Sequence, residues 1–75
     1  MVDARSAVAS ARKYFSELSG RSALDLSVEE VEHDTNERIW KVTLGYIVNA
    51  FSGSKDFKLF EIDDQTEEVI SMKIR

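Results

Sequence analysis

Apolar residues fall at Ala4, Ala7, Val8, Ala11, Phe15 and Leu18, spacings that keep to one face of a 3.6-residue period. They predict an amphipathic helix over residues 4–18. Asp3 stands where a carboxylate can accept the first free amides, and Gly20 stands where a left-handed residue can end the helix. The stripe begins with alanines and ends in Phe15 and Leu18, so the helix can lie close to whatever it covers. After Gly20-Arg21-Ser22 the period changes to two. Leu24, Leu26 and Val28 alternate with Asp25, Ser27 and Glu29, which predicts a half-buried strand. Glu30-Val31-Glu32 displaces that alternation by one residue, as a β-bulge does. His33-Asp34-Thr35-Asn36-Glu37 is polar and predicts a turn.

The next segment is the strongest strand signal. Across residues 38–46, Trp40, Val42, Leu44 and Tyr46 share one face. Residues 49–56, with Ser52-Gly53-Ser54 at their centre, predict a loop. A third strand is expected at 57–62 with Phe60 and Ile62 inward, then a tight connection at 63–67. The last strand, 68–75, puts Ile70, Met72 and Ile74 inward and Ser71 and Lys73 outward. Parallel strands need crossovers of about a dozen residues or more, and these links are too short. The expected fold is therefore α+β: one domain, 1–75, with an N-terminal helix packed on one face of a four-stranded antiparallel meander sheet. The expected core is Val8, Ala11, Phe15, Leu18, Leu26, Val28, Trp40, Val42, Leu44, Phe60, Ile62, Ile70, Met72 and Ile74.

Composition narrows the chemistry. The 75 residues include no Cys, which excludes a disulfide scaffold, an iron–sulfur site and thiolate zinc. A net charge of −4 argues against a dedicated nucleic-acid binder and against docking on an anionic membrane. No apolar run is long enough to span a bilayer, and Met1–Arg5 has no apolar signal-peptide core. Taken as given, the chain reads as cytoplasmic; one from which a leader had been trimmed would read the same. Charge is polarised along the chain. Residues 25–37 carry six carboxylates and no Lys or Arg, whereas residues 3–21 carry a net +2. Ordinary surface charge accounts for this, and so does complementary docking, to a partner or head to tail.

Candidate catalytic chemistry is sparse. His33 is the only histidine, and it has no second His or Cys with which to hold a metal. Asp63-Asp64-Gln65-Thr66-Glu67-Glu68 gathers carboxylates without the spacing of a calcium loop. No phosphate-binding, dinucleotide, nucleophile-elbow or zinc-protease motif occurs. The expectation is no enzyme, no cofactor and no metal.

The order helix, strand, Trp40-Lys41-Val42, then Phe60-Glu61-Ile62-Asp63 followed by Thr66 and Val69-Ile70 resembles the PepSY domain, over nearly the whole chain. That family usually carries Gly after the turn Thr, where the backbone takes a positive φ; Glu67 stands there in this chain. The resemblance implies a cystatin-like helix on a curved antiparallel sheet, and a non-enzymatic module, with regulation of a peptidase or other enzyme as one possible role.

The sheet face away from the helix stands out in the pattern. Ile39, Ile47, Phe57, Leu59 and Val69 are assigned to it beside Lys41, Thr43, Glu61, Ser71 and Lys73. A contiguous patch of such residues marks an interaction site. The function expected is a small non-catalytic protein-interaction module, with a protein partner or a second copy of itself, using this open face or an edge strand.

Overall fold

In the computed structural model, which describes residues 1–22 and 25–75, the helix α1 runs Ala4–Ser19. The Asp3 side chain accepts from the Ser6 amide at 2.8 Å, and Gly20 closes the helix at φ 74 with its amide on the Ser16 carbonyl. Four strands follow: β1 Ser27–Asp34, β2 Ile39–Asn49, β3 Ser54–Asp63 and β4 Val69–Ile74. They form one antiparallel sheet in the order β1-β2-β3-β4. The helix-on-meander architecture is the one the hydrophobic pattern predicts.

All three hairpins are built by one device. Asp34 Oδ1 accepts the amides of Asn36 and Glu37, Asn49 Oδ1 those of Phe51 and Ser52, and Asp63 Oδ1 those of Gln65 and Thr66. Four residues after each of these stands a residue in the left-handed region: Arg38 at φ 57, Gly53 at φ 72 and Glu67 at φ 66. Short polar side chains at the first turn position hold the backbone in this way. The device shortens the turns relative to the sequence expectation. His33 and Asp34 belong to β1 rather than to a turn, and β3 begins at Ser54 inside the expected loop. The expected beginning of the first strand at Leu24 lies outside the described residues. The bulge in β1 falls between Val28 and Glu30, slightly earlier than the pattern places it.

The core lies between α1 and the middle strands. Ala7, Ala11 and Phe15 pack on Val42, Leu44 and Tyr46 of β2 and Phe60 and Ile62 of β3, with Leu26 at one side. Phe15 meets Tyr46 at 5.1 Å and Phe60 at 5.8 Å between ring centres. The small faces of Ala7 and Ala11 let the helix axis sit close to the sheet. A helix about 10–12 Å wide covers roughly two strands spaced about 4.8 Å apart. Residues that point to the helix side on the outer strands therefore lie beyond it.

This geometry corrects four members of the expected core. Val28 on β1 and Ile74 on β4 are exposed because the helix does not reach them. Ile70 is exposed because a bulge in β4 sets Val69, not Ile70, opposite Ile62. Leu18, in the last helical turn, is exposed as well; the Arg21 guanidinium, 4.7 Å above the Tyr46 ring, covers that end of the core instead.

Candidate protein-interaction surface

The open face of the sheet is an array of ion pairs. Lys41 reaches Asp34 at 3.5 Å, Lys73 reaches Glu61 at 3.2 Å, and Lys55 reaches Glu29 at 3.5 Å. The Arg75 backbone is tied to Phe57 on β3, yet its guanidinium crosses to β2 and β1. There it donates to Thr43 Oγ1 and, at 3.1 Å, to Glu30. These charges follow from the alternation, which puts Lys41, Glu61, Lys73 and Arg75 on the same side as Thr43 and Leu59. Hydrogen bonds hold several carboxyls below their ordinary range. Glu61 is lowered chiefly by the Ser71 hydroxyl, then by Lys73, and Glu29 chiefly by the Ser27 hydroxyl. Backbone amides, that of Glu37 first, lower Asp34.

The five apolar residues assigned to this face do not form one patch. Ile39 is on it but only 8% exposed, flanked by Asp34 and Asp63 in the neighbouring strands. Phe57 and Leu59 are half-buried beside the Arg75 side chain, and Ile47 is exposed far along the β2–β3 hairpin. Val69 is on the other face: the β4 bulge pairs it with Ile62, and it packs against the core. An open pocket of about 260 Å³ lies between Glu29, Glu30, Thr43, Phe57 and Arg75. Gly45 forms part of its surroundings. A Cβ there would stand 2.8 Å from Glu29 Oε1 and 3.1 Å from Phe57 Cε1, so the position admits only glycine without a shift.

Exposed apolar surface is concentrated elsewhere. β4 is an edge strand, and Ile70 and Ile74 on it are 57% and 84% exposed. Met72 lies between them in sequence, half-buried beside Phe60. Tyr14 of α1 meets Phe60 edge-on at 6.3 Å and is itself part-exposed. A second exposed group, Ile47, Val48 and a fully exposed Phe51, occupies the end of the β2–β3 hairpin.

His33 is not a solvated turn residue. Its Nε2 lies 2.9 Å from Asp64 Oδ2, and its ring stacks on Trp40 at 4.5 Å. Trp40 Nε1 donates to the Val2 carbonyl at 2.8 Å, the Val2 amide donates to the Asp64 carbonyl, and the Asp64 amide donates to the Arg38 carbonyl. The cluster ties the segment before α1, the β1–β2 turn and the β3–β4 turn together. The Asp64 carboxylate is buried and satisfied by His33 and by the Gln65 side chain, whose Nε2 donates to Oδ1. Its chemistry is that of a clasp. Among the described residues no group of three or more His, Asp or Glu side chains could hold a metal ion. Nor is any described helix long and apolar enough to cross a membrane.

Sequence reasoning missed the clasp because it joins residues more than 30 apart. It missed the bare β4 flank because alternation is blind to the bulge at Ile70. Comparison with known proteins returns no matching family model, curated protein or solved structure.

Proposed function

We propose that the protein is a non-catalytic protein-interaction module that associates with a second copy of itself along its β4 flank. One observation carries the reading: β4 is an unpaired edge whose two large apolar residues, Ile70 and Ile74, stand in solvent. An edge strand is a template for pairing where charge, Pro, a bulge or a covering element does not blunt it, and here the bulge at Ile70 leaves residues 71–74 as the regular edge. The open face supports association less well, because its charged side chains already pair within the chain and its apolar residues are scattered or half-buried. Light scattering over a concentration series tests the reading. The mass should rise from the 8.5 kDa monomer toward twice that value. A mass fixed at the monomer value at hundreds of micromolar would overturn it.

A second reading is a regulator of a peptidase or other enzyme, as the PepSY resemblance implies. Glu67 stands where that family usually carries glycine and takes the positive φ of that position, as Arg38 and Gly53 do at the same place in the other two hairpins. Inhibition or activation of a co-purified peptidase by the isolated protein is its test.

A further inference from the structure

We propose that the pocket on the open sheet face binds a small zwitterion, a free α-amino acid with an apolar side chain. The pocket exists because Gly45 leaves its floor bare. Gly45 pairs with Ser27 on one side and with Phe57 on the other. Glu29 and Phe57 close over the bare position, with Glu29 Oε1 2.8 Å and a Phe57 ring carbon 3.1 Å from where a Cβ would stand. Glu30, Thr43 and Arg75 complete the lining. The space, about 260 Å³, falls just below the range of pockets that take drug-sized molecules, which limits the occupant to a smaller one.

The polar groups that the chain's own pairing leaves over define that occupant. Arg75 is fixed through Nη1 alone, which donates to Thr43 Oγ1 and to Glu30 Oε1. Among the described residues its Nε and Nη2 have no partner. Those two donors form one edge of the planar guanidinium, and such an edge holds a carboxylate by two parallel hydrogen bonds. Across the pocket, Glu29 uses Oε1 for the Ser27 hydroxyl and Lys55, and Glu30 uses Oε1 for Arg75. Among the described residues the second oxygen of each carboxylate has no partner. A ligand carboxylate alone would answer Arg75 and be repelled by Glu29 and Glu30. A ligand ammonium alone would answer the carboxylates and leave the Arg75 edge unpaired. A zwitterion answers both. The two charges it must meet are adjacent, since Arg75 Nη1 and Glu30 Oε1 stand 3.1 Å apart. In an α-amino acid the ammonium and carboxylate are likewise adjacent, on one carbon, and the Phe57 ring gives the side chain of that carbon an apolar wall.

Titration of the isotope-labelled protein with L-phenylalanine, followed by amide NMR, tests the proposal. N-acetyl-L-phenylalanine and L-phenylalaninamide are the companion probes, each lacking one of the two charges. L-phenylalanine should move the amide signals of Thr43, Gly45 and Phe57 along a saturable curve. Each blocked compound should bind at least about tenfold more weakly, as the loss of a charge-assisted hydrogen bond requires. Arg75→Gln, at a half-exposed position, should keep the folded spectrum and weaken L-phenylalanine by a similar factor. It should leave L-phenylalaninamide, which has no carboxylate to lose, almost unaffected. Signals that stay unmoved at tens of millimolar L-phenylalanine overturn the site, and saturable shifts confined to residues outside the pocket overturn its location. Equal binding of the three compounds, or an L-phenylalanine affinity that Arg75→Gln does not change, overturns the zwitterion assignment.

Discussion

Replacing Glu67 by glycine should make the protein more stable, although it deletes a charged side chain and no contact is gained. Glu67 sits at φ 66, four residues after the Asp63 carboxylate that organises the turn. A residue with a Cβ in this region bears a strain of about 1–2 kcal/mol, which glycine does not. Glycine returns part of that gain, about 0.5–1 kcal/mol, through the greater freedom of the unfolded chain. The net expectation is a stabilisation of roughly 0.5–1 kcal/mol, or about 2–8 °C in Tm for a domain of this size. Glu67→Ala is the control: it removes the same charge and keeps the Cβ, so it should leave Tm close to wild type. Thermal and urea melts of the three proteins, run at a concentration where all are monomeric, separate the effects. Destabilisation by Glu67→Gly, or an equal gain from Glu67→Ala, would refute the strain argument, the second by assigning the effect to charge.

Gly45→Ala should cost about 1 kcal/mol, because the new Cβ must displace Phe57 and Glu29, and the cost should shrink in a Phe57→Leu background; urea melts of the cycle measure both. The carboxyls of Asp3, Asp34, Asp63, Glu29 and Glu61 all lie below their ordinary values, chiefly through backbone amides for the aspartates and the Ser27 and Ser71 hydroxyls for the glutamates. Groups whose folded pKa is depressed stabilise the fold above the unfolded pKa, so stability should fall as pH drops through the ordinary values of 4.5 and 3.8 and below them. Acid-limb melts check this, and Asp63→Asn should flatten the limb. Phe51→Ser should change Tm by no more than about 0.5 kcal/mol equivalent, since a fully exposed side chain has no packing to lose; a larger drop would mean that the hairpin tip is packed in solution.

The fold was legible where side-chain period and backbone agree. The 3.6-residue stripe of Ala7, Ala11 and Phe15 and the alternation from Trp40 to Tyr46 predict the two elements that make most of the core. It was less legible where the backbone departs from the pattern. Gly53 announces a left-handed turn residue, but Arg38 and Glu67 do so only by standing four residues after Asp34 and Asp63. Alternation through Val69-Ile70-Ser71 cannot register an inserted residue, so Val69 and Ile70 exchange places relative to the expectation. Nor does it state how wide the covering helix is, which decides that Val28 and Ile74 are bare. The apolar set Ile39, Ile47, Phe57, Leu59 and Val69 failed to gather for the same reasons. One member changed face at the bulge, one was buried between strands, and the hairpin carried another away from the centre. The His33–Asp64 pair depends on the turn-to-turn contact through Arg38, which no local spacing encodes.

The self-association proposed above places the second copy at the β4 edge and not on the open face. Light scattering over a concentration series, on wild type, Ile74→Lys and Leu59→Lys together, tests it most directly. Ile74 is 84% exposed, so its lysine variant should keep the wild-type melt and lose the dimer. Leu59 faces the opposite side of the sheet, beside Thr43 and Lys73, so its lysine variant should still dimerise. Dimerisation retained by Ile74→Lys and abolished by Leu59→Lys in folded protein would contradict the account and return the interface to the open face.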